Sequence, residues 1–146
     1  MSTPMSPPRR GGQTPLPLRR PLAIAAVGAA RLLATQPPGR IRFILTWLRR
    51  GATPADYRQT LAARDAVTAV STLCRGPHGC LPRSLATTLL CRASGVWPTW
   101  YVGVRRVAPF AAHAWVETEG VMVGEPVPAD HLRPLIAVPP ESVRAS

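Results

Sequence analysis

The sequence predicts an α+β domain in which helices come first and strands last. Apolar residues recur at helical spacing as far as about Gly95. Beyond that point β-branched and aromatic residues gather into short runs punctuated by glycine and proline, the composition of a small antiparallel sheet. A length of 146 residues suits one domain with a modest core rather than two.

The first twenty residues, MSTPMSPPRRGGQTPLPLRR, combine proline, glycine and charge with almost nothing to bury. They read as a disordered basic arm, leaving residues 21–146 as the single domain. PLAIAAVGAARLLATQ follows a double arginine as a secretory signal would, but Arg31 interrupts it and the run is too short to span a bilayer. A docked amphipathic helix is the expectation. GRIRFILTWLRRG places Ile41, Ile44, Leu45 and Leu48 at helical spacing before a stop at Gly51, with Phe43 and Trp47 widening the apolar surface. TPADYRQTLAARDAVTAVSTLC opens with Thr53 as N-cap, Pro54 in the first turn and Asp56 as the acidic member of a capping-box-like pattern. Ala62, Ala66, Ala69, Val70 and Leu73 then share one face. These helices, spanning 21–73, read as scaffold whose exposed apolar residues are available to a partner.

After RGPHG comes GCLPRSLATTLLCRASG, a helix with Leu81, Leu85, Thr88 and Leu89 on one side and Cys80, Ser84, Thr87 and Cys91 on another. The small side chains of the second stripe let a sheet approach closely. WPTWYVGVRRV, AHAWVET and VMVGEP carry strand composition, which completes the α+β order.

The formal charge is +11, and all eighteen basic residues are arginine. Nine of them precede Asp56, the first acid, so the basicity belongs to the front of the chain. Nucleic-acid binding is not expected, because the interleaved aromatics or recognition motif that would accompany it are missing. Three irregularly spaced cysteines without a C-x-x-C pair argue against a disulfide framework and for a reducing compartment.

Cys80 is open to three readings: a core residue, a metal ligand or a nucleophile. Zinc on Cys74, His78, Cys80 and His113 would need ligand spacings that the first three do not follow. No metal or other cofactor is expected. At a helix N-terminus, however, exposed N–H groups and the helix dipole favour a thiolate, and a neighbouring imidazole would favour it further. His113 stands mid-strand in AHAW, without an obvious packing reason. An acid should orient that imidazole. Glu117 lies on the same side of the strand as His113 but roughly 13 Å along it, at about 3.3 Å per residue, and Glu119 is farther still.

Glu125 faces His113 across a hairpin in only one class of register. A two-residue loop at Glu119 and Gly120 would pair Thr118 with Val121 and set His113 and Glu125 on opposite sides. A three-residue loop, Thr118 to Gly120, pairs Glu117 with Val121, Trp115 with Val123 and His113 with Glu125, and glycine third in such a loop suits a bulged type I turn. The three-residue register is the expectation, with the helix of Cys80 packed over the face that carries His113.

These blocks, GCLPRSLATTLLCR, WPTWYVGVR, PFAAHAWVE and VGEP, resemble the B2-type leader peptidases of lasso-peptide biosynthesis, within the transglutaminase-like, papain-fold cysteine proteases. The detailed resemblance runs from about Cys74 to Leu135, so a catalytic core over 74–135 succeeds the N-terminal helices. It implies a papain/transglutaminase-like core with Cys80 as nucleophile, His113 as general acid/base and Glu125 as orienting acid. It also implies a cytoplasmic cysteine endopeptidase that removes the leader from a ribosomally made precursor peptide, so that an ATP-dependent lasso cyclase can act on the freed core. Full-length relatives carry a winged-helix-type recognition module; no segment here reads as one, which implies a separate leader-recognition protein. The chain departs from the pattern in having glutamate where aspartate is common, and Pro82 where glutamine is more usual. Pro82 suits a first helical turn but removes an N–H from the oxyanion hole. Acyl transfer to an amine, a transglutaminase-like outcome, and a non-enzymatic basic binding module are the alternatives.

Overall fold

Helix α1 (Leu16–Leu33) begins five residues earlier than the proline-rich arm suggested, in a computed structural model that describes residues 16–125 and 127–141. The rest of the expected arm, residues 1–15, lies outside the described residues. Along α1, Ala23, Ala26, Val27, Ala30 and Leu33 form the buried stripe. Helix α2 (Pro38–Leu48) starts on proline, whose fixed φ suits a first turn, and buries Ile41 and Leu45 as their spacing implied. Phe43 and Trp47 do not join the core; they remain 73% and 59% exposed.

The third helix starts later than its sequence signal suggested. Thr53 and Pro54 form strand β1, paired in parallel with β2 (Val96–Trp97), and the N-cap is Asp56 instead of Thr53. The Asp56 carboxylate accepts from the Gln59 N–H at 2.8 Å, and Gln59 Oε1 accepts from the Asp56 N–H at 3.0 Å, a complete capping box opening α3 (Tyr57–Val70). Its buried face runs through Thr60, Ala63 and Val67, while Ala69 is exposed. Of the expected stripe, Ala62, Ala66 and Val70 are half-buried and Leu73 is exposed, whereas the Thr60 hydroxyl donates to the Asp56 carbonyl at 2.9 Å, so its methyl is buried without an orphaned polar group. Ser71 then breaks the helix in extended conformation and caps α4 (Thr72–Arg75) by accepting from the Cys74 N–H.

Helix α5 (Cys80–Ala93) is the centre of the molecule, packed against α1, α3 and β4. It is buried nearly all round, which its polar residues permit by bonding back along the helix. Ser84, Thr87 and Thr88 donate to the carbonyls of Leu81, Arg83 and Ser84 at 2.8–2.9 Å. Each fully buried aliphatic of the core, such as Leu45, Val67 and Leu85, contributes about 1.5–3 kcal/mol of transfer free energy.

The second sheet is antiparallel, in the order β5-β4-β3-β6, from β3 (Thr99–Arg105), β4 (Ala112–Thr118), β5 (Val121–Met122) and β6 (Leu132–Val138). Strand β6 was not anticipated, because Pro134 in LRPLIAV argues against a strand. It is tolerated at a sheet edge, beside a bulge between Val102 and Gly103. A Cβ on Gly103 would lie 2.1 Å from the Arg133 carbonyl oxygen, so glycine is needed for this approach. Trp100, Val102, Val116 and Val138 alternate onto the face that meets the helices, where the Trp100 indole donates to Ser84 Oγ at 3.1 Å. His113, Trp115 and Tyr101 occupy the opposite face. The Cys80 helix therefore packs on the side of the sheet away from His113, contrary to expectation.

Candidate active site

Cys80 occupies the first position of α5, where the N-cap is Gly79 and no side chain caps the helix. Glycine is needed at the cap for room, since a Cβ there would lie 1.9 Å from the Leu73 carbonyl oxygen. The first-turn N–H groups and the positive end of the helix dipole are thus presented at the sulfur.

Strand β4 presents an open edge to this sulfur. Arg105 donates to the Ala111 carbonyl and Val123 donates to the Val116 carbonyl, which sets the alternation: His113 and Trp115 bond to β3, while Ala112, Ala114 and Val116 aim their backbone groups outward. Strand β5 covers Glu117 and Thr118. Among the described residues no strand pairs with Ala112 or Ala114 on that side. The Cys80 helix and His113 meet across this edge, with the Ala114 N–H bonded to the cysteine sulfur.

The hairpin adopts the register whose strand parity would set His113 and Glu125 on opposite sides. Thr118 pairs with Val121 and Glu117 with Met122, so the loop has two residues instead of the expected three. Both are left-handed, Glu119 at φ 54° and Gly120 at φ 76°, a type I′ turn whose twist matches the flanking strands. Glu125 nevertheless reaches His113, Oε2 to Nε2, at 2.9 Å. Ladder pairing ends at Val123, and Gly124 with φ 64° breaks the extended alternation, so strand parity no longer dictates the side on which Glu125 emerges. The structure therefore brings Cys80, His113 and Glu125 together by a route different from the expected one.

With Nε2 committed to Glu125, the other ring nitrogen is left for Cys80. These contacts push the His113 pKa up to about 9: the hydrogen bond to Cys80 contributes most, then the bond to Glu125, against a burial effect that lowers it. Burial acts to raise the Cys80 thiol, but the His113 bond, the Ala114 N–H and the positive charges of His113 and Arg83 outweigh it and hold the thiol below its ordinary value. Raised imidazole and lowered thiol both act in the direction of a thiolate–imidazolium pair. Cys91 is the contrast, with burial pushing its thiol up to about 12.

Three further groups complete the arrangement. Trp115 stacks on His113 with ring centroids 5.8 Å apart and on Tyr101 at 5.3 Å, and its indole donates to Glu117, which engages that carboxylate away from His113. Arg83 has a side chain only 12% exposed and reaches the Cys74 and Gly76 carbonyls and Glu125. Its position three residues after Cys80, on the same helix face, was a usable signal. The Ala114 N–H was not, being backbone. His78 is exposed and does not line the cleft.

Beside Cys80 and His113 lies a cavity of about 300 Å³ walled by Ile41, Leu81, Trp100 and Val102, with Gln36 at its rim. It suits an apolar group adjoining the sulfur. Among the described residues no group of three or more His, Cys, Asp or Glu is placed to hold a metal ion, and no helix is long and apolar enough to cross a membrane.

A comparison with protein families matches residues 23–137 to the Transglutaminase-like superfamily. Comparisons with curated proteins and with solved structures found no match. The matched residues include α2 to α5, the Cys80–His113–Glu125 constellation and all of the antiparallel sheet but Val138, and the chain belongs to the transglutaminase-like superfamily, with the papain/transglutaminase-like α+β core of that group.

Proposed function

We propose that this chain is a cysteine endopeptidase that removes the leader from a ribosomally made lasso-peptide precursor, in the cytoplasm, together with a separate leader-recognition protein and an ATP-dependent cyclase. The observation that carries the peptidase chemistry is the Cys80–His113–Glu125 juxtaposition, with a 2.9 Å His–Glu bond and a thiol held below its ordinary value. Superfamily membership fits a cysteine protease or an acyltransferase. The resemblance over Cys74–Leu135 supports the leader-peptidase reading within that range.

In this reading the substrate lies extended along the open edge of β4, with Ala112 backbone groups as partners and an apolar flanking side chain in the cavity. The Cys80 thiolate attacks the scissile carbonyl carbon, and the oxyanion that forms meets the Cys80 N–H. Imidazolium His113 gives its proton to the departing amine as the C–N bond breaks, leaving a leader thioester. His113 then takes a proton from water, whose oxygen attacks the thioester; the leader leaves as a carboxylic acid and the thiolate returns. Glu125 keeps the imidazole oriented and its charge compensated throughout. Exposed Phe43 and Trp47 on α2, the helix whose Ile41 walls the cavity, offer a surface for the recognition protein.

The test is mass spectrometry of precursor incubated with this chain, with and without the recognition protein, and with a small primary amine present. Hydrolytic leader release, enhanced by the recognition protein and absent in Cys80→Ala, is the expected result. Release mainly as the amine adduct would favour acyl transfer over hydrolysis. No cleavage with both proteins present, from a folded chain, would overturn the reading.

A further inference from the structure

We propose that Arg83 is a positioning residue of this site, tying the outer oxygen of Glu125 to the loop that leads into Cys80. The inference rests on the reading of Cys80 as a nucleophile. Glu125 has a side chain only 4% exposed, and one of its oxygens is taken by His113. Its other oxygen, Oε1, lies 3.8 Å from Arg83 Nη2. The same guanidinium donates through Nη1 to the Cys74 carbonyl at 2.9 Å and to the Gly76 carbonyl at 3.4 Å, in the segment connecting α4 to α5. One rigid fork thus joins the acid to the approach of the nucleophile. Because Arg83 stands one turn after Cys80, the first turn of α5 supplies both the sulfur and the group that restrains the acid. An ammonium on a flexible stem cannot hold a carboxylate and two carbonyls in that geometry.

The experiment is the pH dependence of Cys80 alkylation by iodoacetamide, read by peptide mass spectrometry on the full chain without any substrate. Wild type, Arg83→Met, Arg83→Lys, Glu125→Gln and the Arg83→Met/Glu125→Gln pair are compared, with near-ultraviolet circular dichroism reporting the fold. Wild type is labelled at Cys80 ahead of Cys74 and Cys91, both of which are buried. Arg83→Met raises the alkylation midpoint by about one pH unit, which slows labelling about tenfold below it. Arg83→Lys restores less than half of that shift. In the Glu125→Gln background Arg83→Met adds no more than about threefold, the part that its direct charge on Cys80 supplies, since the rest acts through one carboxylate. A folded Arg83→Met with the wild-type midpoint, an Arg83→Lys equal to wild type, or full additivity in the pair would each overturn the proposal. An arginine acting on Cys80 by charge alone would be replaced fully by lysine, so the part of the shift that Arg83→Lys fails to restore reports the fork. Should Arg83→Met fail to fold, the Arg83→Lys profile decides. Wild-type labelling that favours Cys74 or Cys91 would instead remove the nucleophile reading, and this inference with it.

Discussion

Replacing Gly79 by alanine asks how closely the approach to Cys80 is constrained. At φ −98° and ψ 15° the backbone there is open to any residue, so the cost is steric and not conformational. The added Cβ would lie 1.9 Å from the Leu73 carbonyl oxygen, 2.8 Å from its carbon and 3.1 Å from Cys74 Cα. All three are backbone atoms and cannot rotate away. Relieving the closest contact demands a displacement of about 1 Å in either the α4–α5 connection or the start of α5, and Cys80 is the next residue. Overpacking of this kind costs about 1–3 kcal/mol. A misplacement of about 1 Å in a reacting group can cost on the order of 100-fold in rate. Gly28→Ala in α1 is the control, since nothing lies within 4 Å of its added Cβ and a mid-helix glycine costs about 1 kcal/mol relative to alanine. Urea unfolding and the rate of Cys80 alkylation are the measurements. The expected result is opposite signs in stability, with Cys80 reactivity lost only in Gly79→Ala. Wild-type stability and reactivity in Gly79→Ala would refute the steric argument; lost stability with unchanged reactivity would refute the link from the connection to the nucleophile.

Three other outcomes come from the electrostatics and the turn. His113 has its pKa raised to about 9 from 6.5, so the stability this contributes is fully present below pH 6.5 and fades as pH rises through about 9; the high-pH limb of activity falls in the same window. Glu125→Gln removes one of the two hydrogen-bonded partners that raise it, and should move that limb down by about one unit and slow turnover at neutral pH about 10- to 100-fold; an unmoved limb in a pH–rate profile would show that Glu125 does not act on His113. Glu119→Asn, at a left-handed position followed by Gly120, should raise stability by about 0.5–1 kcal/mol with activity unchanged, because Asn-Gly suits a type I′ turn better than Glu-Gly; destabilisation in thermal unfolding would contradict the two-residue loop.

How much of the fold is readable in the residues depends on whether a signal is local. The burial of Ile41 and Leu45 and the nearly all-round burial of α5 reflect spacing and small side chains, which are local properties. The face of α3 is not local: Thr60 and Val67 are buried by how the helix packs, chiefly against α5, and the Thr60 hydroxyl only permits this by bonding to the Asp56 carbonyl. Strand β6 is missed for the same reason. Pro134 reads as a breaker until the strand is known to lie at an edge opposite the bulge at Gly103. Thr53 and Pro54 look like a helix start because a capping pattern carries no information about the parallel partner, Val96 and Trp97, that claims them.

The site is legible as a set of residue types but not as a geometry. Cys80 at a helix start and His113 in a strand need only sequence neighbours, whereas hairpin register links His113 to Glu125 only if the strand runs unbroken from the turn to the acid. Ladder pairing lasts only to Val123, and the left-handed Gly124 uncouples Glu125 from the turn at Glu119 and Gly120. A Cβ on Gly124 would also lie 2.7 Å from the Arg64 side chain, so α3 crowds the bend from outside while Arg83 restrains Glu125 from within. The acid is therefore held by Arg83 of α5 and by His113, with Arg64 of α3 beside the bend at Gly124, and not by the pleat of the hairpin. The reach of Glu125 to His113 is thus set by the bend at Gly124 and by the guanidinium of Arg83, and not by strand parity counted from the turn at Glu119 and Gly120.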